Sequence, residues 1–143
     1  MPPTGATEAD VLERHEKAAR EYLNWEPQMY IDGNWVEAES GDEFETHDPT
    51  TGKALATVPA AGREDVDMAV KAASRAYENT WSDFTATERR DILNEIADRI
   101  EDAEERLATI ETLNNGMPIT DAHWDMSRTC EQYRYFAGVA QAN

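Results

Sequence analysis

The chain has 143 residues, the length of one ordinary domain, and its 30 Asp and Glu against 13 Lys and Arg give a formal charge of −17. A surplus this large argues against nucleic acid or an anionic membrane as partner, since both repel it and no Lys/Arg cluster offers a local exception. The single cysteine, Cys130, excludes an intramolecular disulfide, and no segment approaches the ~20 apolar residues of a membrane span.

Residues 1–28 read as a separate N-terminal helical extension. Met1-Pro2-Pro3-Thr4 lacks the apolar core of a signal peptide, so the cytoplasm is the expected location. Ala6 to Trp25 suits a helix with a thin stripe of Val11, Leu12, Ala18, Ala19, Tyr22 and Leu23, ended by Glu26-Pro27. Residues 29–60 read as β structure. Met29-Tyr30-Ile31 and Asn34-Trp35-Val36 flank Asp32-Gly33, a two-residue hairpin turn. Phe44 to His47 is a short strand closed by the turn cluster Asp48-Pro49-Thr50-Thr51-Gly52, and Ala54 to Pro59 is another.

Three long helices follow. Residues 63–80 carry Glu64, Asp65 and Asp67 in the first turn, where the macrodipole favours negative charge. Val66, Ala69, Val70, Ala73, Ala76 and Tyr77 follow the helical period there. Over residues 86–115, Thr85 and Glu88 have the spacing of a capping box, contributing ~1 kcal/mol through the N-cap. Ile92, Leu93, Ile96, Ile100, Ala103, Leu107, Ile110 and Leu113 form one stripe, and Gly116 fits the positive-φ position that ends helices. Residues 118–141 open with Pro118 and align Ile119, Ala122, Met126, Cys130, Tyr133, Ala137 and Ala140, with Tyr135 and Phe136 broadening that face.

Leu, Ile, Val and Phe total only 21 residues, a scarcity that with high net charge points towards disorder. Four Trp, five Tyr and the strict helical periods oppose it. The surface instead suits a halophile: at molar salt the Debye length falls to about 3 Å and repulsion among carboxylates is screened. Abundant Asp and Glu with only Lys17, Lys53 and Lys71 resembles proteins of salt-loving archaea.

Six short stretches, in order, resemble the N-terminal part of NAD(P)-dependent aldehyde dehydrogenases. Tyr30-Ile31-Asp32-Gly33-Asn34-Trp35-Val36 looks like that family's opening hairpin, and Asp48-Pro49-Thr50-Thr51-Gly52-Lys53 like its N-P-x-T-G-E turn. Glu64 to Ala73 resembles E-D-V-D-x-A-V-x-A-A, and Trp81 with Glu88-Arg89 resembles its W…E-R segment. Glu111-Thr112-Leu113-Asn114-Asn115-Gly116-Met117-Pro118 resembles E-T-L-D-N-G-K-P, and Tyr133-Arg134-Tyr135-Phe136-Ala137-Gly138 resembles R-Y-Y-A-G. The likeness covers residues 29–143. It implies an α/β fold, the N-terminal part of the aldehyde dehydrogenase fold: edge β-hairpins, then three long helices that flank an absent dinucleotide-binding sheet.

The same resemblance says what is missing. In the family an activated Cys attacks the aldehyde, hydride passes to the nicotinamide of NAD or NADP, and water releases the acid. The nucleophilic Cys, the Glu base, the oxyanion-hole Asn and the dinucleotide contacts all lie further on, with no counterpart here. The seven Gly are scattered, not clustered after a strand as a dinucleotide turn requires. No catalytic or cofactor-binding residue is therefore assigned. Cys130 sits mid-helix on the apolar face, where Glu131 and Asp125 would raise its thiol pKa, so it reads as structural. His15, His47 and His123 show no metal-ligand spacing and read as solvated or locally bonded. Glu101, Glu104 and Glu105 read as a solvated face. The resemblance implies one candidate metal site, for a monovalent cation, at Thr46, His47 and Asn114. Asn114 stands where the family has Asp, which keeps an oxygen but drops the charge, and Met117 stands for Lys.

The resulting expectation is an N-terminal segment of an aldehyde dehydrogenase, inactive alone, whose partners are the rest of the enzyme and, in the complete protein, further copies of itself. The alternative is a non-catalytic interaction module derived from the same fold, docking through the apolar faces of residues 66–77 and 119–140.

Overall fold

The hairpin turn shows the local chemistry most directly. Asp32 and Gly33 both take positive φ, 54° and 79°, as a tight two-residue turn demands. They join β1 (Met29–Ile31) to β2 (Asn34–Val36) in the register Met29↔Val36, Tyr30↔Trp35, Ile31↔Asn34. The Tyr30 and Trp35 rings, 5.0 Å apart, cover one face of this ribbon. In the computed structural model, which describes residue 5 and residues 7–142, a second ribbon pairs β3 (Glu43–His47) with β4 (Ala54–Pro59) antiparallel, with an irregularity between Thr46 and His47. The two ribbons are separate sheets, so among the described residues each keeps unpaired outer edges. Met1-Pro2-Pro3-Thr4, Ala6 as a helix start, and Asn143 lie outside the described residues.

Helix α1 runs Glu8–Tyr22, capped by Thr7, whose hydroxyl accepts from the Asp10 amide while the Asp10 carboxylate accepts from the Thr7 amide. It ends at Leu23, short of the expected Trp25. Helix α2 (Arg63–Asn79) begins at Gly62, where buried Asp65 acts as a clamp. Its carboxylate accepts from the Gly62 amide at 2.8 Å and from the Glu39 amide at 3.0 Å, tying the loop after β2 to the start of α2. A single 3₁₀ turn, Trp81–Asp83, leads to α3 (Ala86–Asp102). Its Thr85–Glu88 capping box forms as the spacing predicts.

The helix expected over 86–115 is in fact two, α3 and α4 (Glu104–Asn115), so four helices rather than three follow the ribbons. The break falls at Ala103, φ −102° and ψ 10°, whose amide is shared between the Arg99 and Ile100 carbonyls at 3.2 Å each. The apolar period runs straight through, so it carries no sign of the break. The break sets Glu104 and Glu105 at the favourable start of α4 but leaves Glu101 and Asp102 at the unfavourable end of α3, so the charges do not explain it.

Helix α5 (Ile119–Ala142) packs along both α3 and α4. Their seam is built of small side chains: Ala97, Ala108, Ala122, Cys130 and Ala137 are buried, with Leu113 the largest apolar side chain enclosed. Tyr135 and Phe136, expected to widen the buried face, point outward and pack edge-on against each other. The fold is α/β, mostly helical, with two small sheets.

Candidate functional site

The six-residue turn between β3 and β4 is organised by Asp48, which is 2% exposed. Its Oδ1 accepts from the Thr50 amide at 2.8 Å and its Oδ2 from the Thr51 hydroxyl at 2.9 Å. Its backbone closes the turn by donating to Lys53 O (2.9 Å) and accepting from the Gly52 amide (2.7 Å). The third partner of the carboxylate is distant in sequence: His15 Nδ1 on α1 lies 3.1 Å from Oδ2. Burial pushes this carboxyl up, but the Thr50 amide, the Thr51 hydroxyl and His15 together outweigh it and hold the group below the usual carboxylate range.

This turn rests on the α4–α5 joint. Gly116 takes φ 80° and its amide donates to Thr112 O at 3.0 Å, the helix stop read from the sequence. A Cβ there would stand 3.0 Å from Pro49 Cγ, so the joint touches the turn as well as ending a helix. The Asn115 side chain accepts from the Met117 amide at 2.7 Å. The Pro118 carbonyl accepts from Asp121 and Ala122, so Pro118 caps α5 from one position ahead of its first turn. Between α1 and the joint lies a cleft of about 520 Å³, walled by Val11, His15 and Ala18 on one side and Leu113, Met117 and Pro118 on the other.

A smaller pocket of about 130 Å³ opens nearby, under Leu23, Trp25 and Pro27. Thr46 and Asn114 both line it, so the structure brings together two of the three residues considered for a cation. His47 is not among the lining residues; its Nε2 lies 3.8 Å from a Glu45 carboxylate oxygen. Among the described residues, no group of three His, Cys, Asp or Glu side chains is placed to hold a metal ion.

Sequence reasoning missed two histidine contacts. His15 pairs across 33 residues with Asp48, and His123 Nδ1 lies 2.9 Å from Glu104, joining α5 to the start of α4. Neither has a local sequence signal, because the partners meet only through tertiary packing. Cys130 lies where its spacing puts it. It is buried, and its thiol donates to Ala97 O at 3.4 Å. Burial raises its pKa; Arg134 opposes this, while Glu101 and Glu104 add to it, so the acidic influence comes across the helix seam. This is the opposite of an activated nucleophile.

The chain as a whole has counterparts among known proteins. The model of the aldehyde dehydrogenase family matches residues 35–143. The chain belongs to the aldehyde dehydrogenase family. It is 44% identical over 114 residues to aldehyde dehydrogenase 1 of Tanacetum cinerariifolium, covering 78% of this chain and 23% of that protein. It is 42% identical to acetaldehyde dehydrogenase 2 of Cupriavidus necator, covering 79% and 22%. Among solved structures, betaine aldehyde dehydrogenase of Staphylococcus aureus with NAD+ superposes with a TM-score of 0.84 at 33% identity, over 89% of this chain and 25% of that one. HpcC of Thermus thermophilus gives 0.84 at 30% identity over 99% of this chain and 27% of its own, a likeness that takes in α1. The chain thus spans about a quarter of the length of the dehydrogenases it matches.

Proposed function

We propose that this chain is the N-terminal part of an enzyme that oxidises aldehydes to carboxylic acids with NAD or NADP, and that its own work is architectural. The observation that carries the reading is the uncovered apolar surface of a family member a quarter of the usual length. Val66, Val70 and Tyr77 on α2, and Tyr135 and Phe136 on α5, are more than half exposed. Faces of this kind serve to pack against further structure. In the complete enzyme the dinucleotide accepts hydride. No residues here fit it: the glycines are scattered, no parallel strand–turn–helix unit is present among the described residues, and the one thiol is buried. Hydride transfer and the nucleophile are assigned to sequence outside these 143 residues, as are the contacts that build a homo-oligomer.

The purified chain, mixed with an aliphatic aldehyde and either dinucleotide, is expected to give no reduced nicotinamide absorbance above the protein-free blank. Turnover at any salt concentration refutes the reading.

A halophilic, cytoplasmic setting is part of the same proposal. It is supported by the charge of −17 and by the absence, among the described residues, of a helix long and apolar enough to cross a membrane. Helicity by circular dichroism is expected to rise from ~0.1 M to multimolar KCl as the Debye length shrinks from about 10 Å; equal spectra remove that support. The monovalent-cation site at Thr46, His47 and Asn114 is retained as a proposal resting on the shared pocket wall of Thr46 and Asn114. Restoring the charge with Asn114→Asp is expected to add a Na+-dependent rise in melting temperature; identical melting in NaCl and in a salt of a large organic cation overturns it.

A further inference from the structure

We infer that α1 is a strap, pinned by His15 on Asp48, that forms one wall of the cleft facing the α4–α5 joint. The burial of α1 is thin. No residue of the helix is buried, and Val11, Leu12, Ala18, Ala19 and Tyr22 are only half-covered. Apolar burial of this extent contributes little at about 25 cal/mol per Å², so polar contacts decide whether the helix stays down.

Among the described residues, two side-chain contacts between polar groups tie α1 to the rest of the chain, and both reach the same turn. Glu16 meets Lys53, with the two side chains 38% and 63% exposed. An exposed pair of that kind is worth little and is screened by salt. His15 meets Asp48 with side chains 19% and 3% exposed, so this pair is shielded from water and ions. The carboxylate offers no proton, so Nδ1–H donates and Oδ2 accepts.

The acceptor is fixed before the strap arrives. Thr50 and Thr51 hold Asp48 from within its own turn, so the turn keeps its shape when α1 lifts. That makes the contact a pin rather than a part of the core. Arg14 and Glu16 on α1, Lys53 on the turn and Glu105 on α4 stand around it. With the strap down, Val11, His15 and Ala18 face Leu113, Met117 and Pro118 across the cleft.

Hydrogen exchange read by mass spectrometry on the full 143-residue chain tests this. His15→Ala is expected to speed exchange of the amides of residues 11–22 by at least about tenfold, the scale of one hydrogen bond to a charged group, while α3 and α5 amides keep their rates. Lys53→Ala is expected to change the α1 rates less than about twofold. His15→Asn, whose side-chain amide carries an N–H near the place of Nδ1, is expected to stay closer to the parent chain than to His15→Ala. Unchanged α1 rates in His15→Ala overturn the pin. So does an equal rise across α3 and α5, which would make the pair part of the global core, and so does an Asn variant as labile as Ala.

Discussion

Helices α2 and α5 carry the same signal and meet opposite fates. Each has an apolar stripe at helical spacing. On α5 the stripe is enclosed: Ala122, Cys130 and Ala137 lie against α3 and α4. On α2 it is bare, with Val66 54%, Val70 58% and Tyr77 61% exposed, and only Ala72 and Asp65 buried. The difference teaches that periodicity reports a face made for contact but not whether the contact lies in the same stretch of chain. The small residues mark the near partner, since alanine at a seam lets helix backbones approach. The large residues on α2 stay exposed, as the proposed packing against further sequence requires.

Four substitutions break or sharpen that contrast. Leu113→Ala removes the largest apolar side chain that is fully enclosed and is expected to cost ~2–5 kcal/mol in urea unfolding at multimolar KCl. A cost below ~1 kcal/mol would mean the seam is no more a core than α2 is. Ala122→Leu forces extra methylenes into the α5 seam and is expected to cost ~1–3 kcal/mol by overpacking. Thr85→Ala tests a contribution that depends on neither face, and ~1 kcal/mol is expected from the lost cap. That cap also sets a pH dependence. Its bonds with Thr85 hold the Glu88 carboxyl below the usual range, so its contribution is full above the unfolded value of about 4.3 and is lost as pH falls through the folded one. The Thr85→Ala variant should show a flatter acid limb in melting temperature. Val70→Ser is the smallest: within ~0.5 kcal/mol in this chain, because nothing covers the site. The same change in a longer form of the enzyme is expected to cost several times more, and equal costs would remove the distinction between the two helices.

Much of this was legible in the sequence. Asp32-Gly33 specifies its turn because few residues tolerate two positive φ values in succession, and Thr85-x-x-Glu88 specifies its cap because both partners lie within one turn. Gly116 was legible for the same reason. What stayed hidden involves groups far apart in the chain. The Ala103 break leaves no mark in the apolar pattern, which runs across it unchanged. The Trp81…Glu88-Arg89 segment was visible as a likeness, yet its use is structural: Arg89 donates to the carbonyls of Trp81 and Ser82, fixing the 3₁₀ turn before α3. Within the candidate site, the sequence marks Asp48 as a turn residue and Gly116 as a helix stop, each on local grounds. That they meet through Pro49, with His15 closing over Asp48, follows only from packing. Thr46 and Asn114 converge on one pocket, but His47, just past the irregularity in the β3–β4 register, is not among its lining residues.

The two ribbons have a consequence for the molecule in solution. Among the described residues each presents unpaired backbone donors and acceptors along its outer edges, and the first also displays Tyr30 and Trp35 to solvent. Such edges invite strand-to-strand pairing between molecules. In dilute buffer a charge of −17 keeps copies apart. Concentrated salt lifts that repulsion and strengthens apolar association when the anion is a kosmotrope. Salt that screens the carboxylates within one copy therefore also screens the repulsion that holds copies apart.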